Sequence, residues 1–279
     1  MVGTVPERPL SRRVSSTGLR LSTFLIGFAC CGLIAAATAP QAVAQNQPAT
    51  TIEALPTDAA LDALLAARDW NKLGMVLSRP TDAASFGRRL NWLHSRIDAG
   101  GGSLLPQLFA RDLWVVGIQQ NVDDPTKDLR LTAGMMTLYS YELDVIDGAK
   151  CEDHSAPGHR IDQLMVNRAA TFKYLQALPE YQKDNVVNIA IALERKTAPL
   201  RKEDDLICRN GLEEMRAGLE RGAQREVPAA AGQYGRQVEV TTPPGWTPKF
   251  VAPEVYRPLQ ESARSQMRAG LLKIVATPR

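Results

Sequence analysis

The densest group of chemically capable side chains in this chain is Cys151-Glu152-Asp153-His154, followed by His159 and Arg160. A thiolate, carboxylates and imidazoles are all acceptable ligands for zinc or copper. The spacing argues against a metal, because His154 and His159 stand five positions apart and imidazoles share a helical face at three or four. A disulfide-bonded cysteine offers no thiolate either. The expectation is a loop of turn-forming Asp, Ser, Pro and Gly, with no metal and no cofactor. Cys151, His154 and His159 are the set a metal would have to use.

Carboxylates form the second candidate. Glu142, Asp144 and Asp147 lie in an apolar segment, and Asp123-Asp124 precede it. Two carboxylates that flank a glycosidic bond can hydrolyse it, so the group near Glu142 defines a candidate cell-envelope hydrolase. The structural alternative pairs Glu142 with Arg168, which falls on the apolar stripe of Ile161, Leu164, Phe172 and Leu175. Unpaired buried charge is costly, so Glu142 and Arg168 are expected to form a buried ion pair or to line a polar cleft. His94 lies among Arg88, Arg89 and Arg96 without a Ser or Cys nucleophile in a supporting motif. The chain also lacks Gly-x-Ser-x-Gly, His-Glu-x-x-His, a Walker loop and Gly-x-Gly-x-x-Gly, which weighs against the common hydrolases and nucleotide enzymes.

The elements that must position these groups read as helices. Thr57 or Asp58 caps a helix through Arg68, and Trp70, Leu73 and Leu77 continue into a second short one before Pro80. Thr81-Asp82 opens a third, which carries Phe86, Leu90, Leu93 and Ile97 as far as Gly100-Gly101-Gly102. Ser103 to Val116 follows, with Pro106 tolerated in its first turn. Asp128 to Ile146 is apolar on more than one face and belongs in the middle of a bundle. A loop from Ala149 to His159 then leads to a helix carrying Ile161 to Leu175, and another with Val186, Ile189, Ala190 and Leu193. A further helix, beginning near Glu203, would align Cys208, Leu212, Met215 and Leu219.

Residues 226–253 hold five prolines and one alternating stretch, Gln237 to Thr241, readable as a lone edge strand. Trp246, Phe250 and Tyr256 suit a segment that wraps the domain. Pro253 to Val275 closes the chain as an amphipathic helix with Leu259, Ala263, Met267, Leu271 and Ile274 in register. The expected fold class is all-α: an antiparallel multi-helix bundle or irregular α-α array, with a Pro-rich extended segment before the last helix. Only the helix pair from Leu61 to Leu77 faintly suggests a solenoid repeat.

The N-terminus reads as an export signal. Arg8, Arg12, Arg13 and Arg20 precede an apolar run from Thr23 to Ala39, and Ala42-Val43-Ala44 offers a small-x-small processing site. This gives residues 1–44 as a secretory signal peptide, 45–56 as a flexible arm and 57–279 as a single helical domain. Cleavage would remove four bases and one acid from the 33 and 30 of the full chain and leave 29 of each. A neutral protein without a basic block is a poor binder of nucleic acid. Cleavage would also remove Cys30 and Cys31, so Cys151 and Cys208 are left to form a disulfide in an oxidising compartment. The expectation is a periplasmic or secreted helical protein that is not stably inserted in a membrane. It would bind a protein or small-molecule partner in the cell envelope without catalysis, with the carboxylate hydrolase as the alternative.

Overall fold

Short polar side chains decide where most of the early helices begin. In a computed structural model, which describes residues 54–120, 127–228 and 237–276, Thr57 Oγ1 accepts from the Ala60 N–H at the start of α1 (Asp58–Ala66). Asp69 does the same for Lys72 in α2 (Trp70–Ser78), and Asp82 for Ser85 in α3 (Ala83–Asp98). Asp128 caps α5 (Leu129–Ile146) by accepting from the Arg130 N–H at 2.9 Å. Each such cap contributes about 1 kcal/mol by satisfying an amide that has no partner within the helix. Between α3 and α5 lies α4 (Leu104–Gly117).

The second half of the molecule holds α6 (Ser155–Asn167), α7 (Ala169–Gln176), α8 (Glu180–Thr197) and α9 (Leu212–Arg221). Strands β1 (Gln224–Val227) and β2 (Gln237–Val240) follow, and α10 (Pro253–Val275) closes the described chain. The described residues are thus mostly helical, and the fold class is all-α. Helix α5 sits at the centre, packed on α4, α6, α7, α8 and α10. It buries Met136, Leu138, Tyr139, Leu143 and Ile146. Full burial of a side chain of this size contributes about 1.5 to 3 kcal/mol, so this helix organises the hydrophobic core.

Several local expectations need correction. The helix expected to run from Ile161 to Leu175 is broken at Arg168, whose φ of −114° and ψ of 18° separate α6 from α7. The loop after α5 is shorter than Ala149 to His159: a 3-10 turn covers Asp147–Lys150, and α6 starts at Ser155 with Pro157 in its first turn. The helix expected near Glu203 begins only at Leu212, so Cys208 precedes it. The stretch expected as a lone edge strand pairs antiparallel with β1, Gln224 opposite Val240 and Val227 opposite Gln237. In α10, Leu259 is exposed while its neighbour Gln260 is buried, because Gln260 donates to the Ile146 carbonyl and to Asp147.

All the described residues fall in one compact unit, Thr50–Arg279. The expected leader 1–44, most of the arm 45–56, Asp123-Asp124 and part of the Pro-rich stretch lie outside the described residues. No helix among the described residues is long and apolar enough to cross a membrane.

Candidate functional site

Cys151 and Cys208 are joined by a disulfide, with their Cα atoms 5.3 Å apart. Both are buried, and Ile207 and Phe250 pack around them as a small apolar cluster separate from the main core. The chain at 249–251 runs alongside: Glu152 N–H donates to the Lys249 carbonyl at 3.0 Å, and Val251 N–H to the Lys150 carbonyl at 2.9 Å. The bridge therefore ties the segment after α5 to the segment before α9, and the returning chain covers it.

The polar residues beside Cys151 build a helix terminus. Gly211 precedes α9 and supplies no side-chain cap. Instead, Asp153 Oδ2 accepts from the Glu213 N–H at 2.8 Å, and Ser155 Oγ accepts from the Leu212 N–H at 2.8 Å. A Cβ on residue 211 would come within 2.2 Å of Asp153 Oδ2, so only glycine permits this approach. Burial pushes the Asp153 carboxyl up, but the hydrogen bonds from Ser155 and Glu213 outweigh it and hold the carboxyl below its ordinary value. His154 and His159 are both exposed, and His159 Nε2 lies 3.0 Å from Gln163 Nε2. Among the described residues, no group of three or more His, Cys, Asp or Glu side chains is placed to hold a metal ion.

Helix α9 departs from its expected stripe. Leu212, Met215 and Leu219 are 64%, 52% and 50% exposed instead of facing the core. Together with Val238 and Val240 of β2 they form the apolar walls of an open groove of about 640 Å³. Ser155, His159 and Gln163 of α6 also line it, and Asn210, Glu214 and Thr242 complete it. The Glu214 carboxylate is compensated within the wall, for it accepts from the Asn210 N–H at 2.6 Å, the Thr242 hydroxyl at 2.6 Å and Arg209 at 3.3 Å.

The carboxylates of α5 point to different places. Glu142 and Asp144 are two residues apart, a spacing at which helical side chains do not share a face. Glu142 is fully buried, and neither carboxylate oxygen has a hydrogen-bond partner among the described residues. Burial, reinforced by Glu194 and opposed by Arg201 and Arg195, pushes its carboxyl up to about 9, so it is protonated at neutral pH. The expected pairing with Arg168 is not formed. Arg168 occupies the break between α6 and α7, and its Nη2 donates to the Gln107 carbonyl at 2.8 Å. The ion pair on this part of α5 is a different one. Arg201 contacts Asp147 at 2.6 Å and Glu194 at 2.5 Å, and Arg264 reaches Glu194 at 3.0 Å. Arg201, Asp147 and Glu194 are all buried, so each of these charges is compensated within the interior.

Asp144 looks toward α4 instead. Its Oδ1 accepts from Ser103 Oγ at 2.5 Å, and its Oδ2 is buried without a partner. Burial pushes the carboxyl up to about 7, partly offset by the Ser103 bond. Asp204 holds the adjoining backbone by accepting from the Ser103 N–H at 2.9 Å. That approach requires Gly102, where φ is +89° and a Cβ would meet Asp204 Oδ2 at 2.5 Å. Ser103, Gln107, Asp144, Arg160, Gln163 and Asn167 thereby line a second, smaller cavity of about 110 Å³. Sequence reasoning passed over Ser103, Asp204, Glu194 and Arg201. The run Gly100-Gly101-Gly102-Ser103 was the one local signal, since consecutive glycines permit close approach of another segment.

Compared with protein-family models, with curated proteins and with solved structures, the chain shows no match.

Proposed function

We propose that this is an exported, non-enzymatic binding protein that seats a small, mainly apolar, uncharged molecule in the groove between α6, α9 and the hairpin. The observation that carries the reading is the exposure of Leu212, Met215 and Leu219 together on one face, lining one groove with Val238 and Val240. A groove of about 640 Å³ lies in the usual range for small-molecule sites, which combine apolar walls with a few polar groups that fix orientation. His159, Gln163 and Asn210 supply such groups, and Glu214 has its charge met inside the wall. We read the described end of the Pro-rich stretch, 237–253, as the frame that holds β2 at the groove. Export to the periplasm or beyond is supported by the order of the leader and by the disulfide.

Titration with the uncharged fluorophore N-phenyl-1-naphthylamine tests this. A saturable fluorescence increase at one dye per chain is expected, weakened at least tenfold in Met215→Asp, whose fold should survive because residue 215 is exposed. No increase, or an increase the substitution leaves unchanged, would overturn it. The envelope-hydrolase alternative has less support, because Glu142 is fully buried and Asp144 lines a cavity of only about 110 Å³. Release of soluble fragments from peptidoglycan, abolished in Asp144→Asn, would replace the binding reading with that one.

A further inference from the structure

We propose that the smaller cavity is a separate binding site for a small α-amino acid in its zwitterionic form, with the ammonium group on Asp144 and the carboxylate on Arg160. The cavity measures about 110 Å³. Since a cavity of 150 Å³ accommodates benzene, this one suits a molecule of about four to five heavy atoms, the size of glycine.

Its two charged groups are opposite in sign and act on each other through space without a direct bond between them. Asp144 is 1% exposed, and only one of its oxygens has a partner, Ser103 Oγ. Arg160 is half-buried; its Nε donates to the Leu206 carbonyl at 2.9 Å and its Nη1 to Gln163 Oε1 at 3.0 Å. Neither bond involves a carboxylate; Asp144, Asp204 and Glu214 act on Arg160 only through space, and Asp144 lines the same cavity. Elsewhere in the interior such groups meet directly, as Arg201 does with Asp147 and Glu194. A buried carboxyl with a vacant oxygen, which an ammonium group would hold ionised, lines the same cavity as a guanidinium with spare donors and matches a ligand carrying both charges on neighbouring atoms.

The remaining lining suits that ligand. Gln107 donates Nε2 to Ser103 Oγ at 3.1 Å and so helps fix the hydroxyl that orients Asp144. Asn167 is exposed and lies at the edge of the cavity, and Leu104, Leu164 and Ile207 leave room for at most a small apolar side chain. The cavity shares Gln163 with the apolar groove, but its two charged groups, Asp144 and Arg160, do not line that groove.

Isothermal titration of the whole protein with glycine and L-alanine tests the assignment, with methylammonium, acetate and L-phenylalanine as controls. Saturable binding of glycine or L-alanine at one per chain is expected, with each control at least tenfold weaker. Asp144→Asn keeps the acceptor for Ser103 while removing the charge, and Arg160→Gln removes the opposite one; each should weaken binding at least tenfold. Asn167→Leu, at an exposed position that the fold does not need, should weaken it as well. A cavity that holds only water would give no saturable heat, and that result would overturn the proposal. Equal binding of methylammonium or acetate, or unchanged affinity in both charge variants, would overturn it too.

Discussion

Helices α2 and α9 are near equals, nine and ten residues long, and each carries three apolar side chains at helical spacing. In α2, Leu73, Val76 and Leu77 are at most 7% exposed and merge with the main core beside Leu61 and Trp92. In α9, Leu212, Met215 and Leu219 are at least half exposed. The same pattern thus serves two purposes. Helix α2 is held by what it buries. Helix α9 is held by the disulfide before it and the borrowed cap at its start, which leaves its apolar face free for something else.

Breaking the bridge should have the largest effect. Reduction removes a link across 57 residues and should cost about 4 kcal/mol on the chain-entropy account, or about 8 to 16 °C in melting temperature. Amide exchange should accelerate in α9 more than in α2. Equal acceleration in both would show that the bridge supports the whole fold and not α9 in particular.

Leu73→Ala should cost about 2 to 5 kcal/mol in urea unfolding, as for other leucines buried in a core. A cost below about 1 kcal/mol would place α2 with α9 and erase the contrast.

The interior of α5 sharpens the comparison with a polar case. Glu142 is buried as fully as Leu73 yet has no hydrogen-bond partner among the described residues. Because its folded pKa is raised to about 9, its contribution is complete below the unfolded value near 4.3 and is lost as pH climbs toward 9. Within that window each pH unit costs the folded protein up to about 1.4 kcal/mol through this one group. Glu142→Gln keeps the shape and stays neutral, with Glu194, Arg201 and Arg195 around it unchanged. Between pH 5 and pH 8 the variant should therefore gain about 2 kcal/mol on the parent, a figure reduced from the full linkage for relaxation and water entry. Thermal melts across that range check it, and parallel curves would mean that Glu142 ionises freely in the folded protein.

The smallest effect belongs to α9. Leu212→Ala should change stability by no more than about 0.5 kcal/mol, as at other exposed positions. A loss of 2 kcal/mol or more would show the face to be covered in solution.

What could be read ahead of the structure follows from how local each signal is. Asp82 and Asp128 cap helices with amides two or three residues away, so their positions were visible in the chain itself. The cysteine pairing was readable for a different reason: if a leader holding Cys30 and Cys31 is removed, Cys151 and Cys208 are the two that remain. Arg168 was misjudged because a stripe counted across Ile161 to Leu175 assumes an unbroken helix. The smaller cavity was not readable, since Ser103, Asp144, Arg160 and Leu206 come from four stretches of chain that only packing brings together. The stripe on α9 was seen, but periodicity reports which face is apolar and not whether a neighbour covers it.

The cap that Asp153 and Ser155 lend to α9 also bears on the order in which the molecule assembles. Its hydrogen bonds span 60 and 57 positions. A ten-residue helix is too short to persist alone in water, where about 12 to 15 residues are marginal even for strong helix formers. Helix α9 must therefore wait for the start of α6 to be in place, a loop closure that local helices such as α3 do not require. The groove it walls would be among the last parts of the molecule to form. In partial unfolding it would be among the first to go, while α5 and its neighbours still hold.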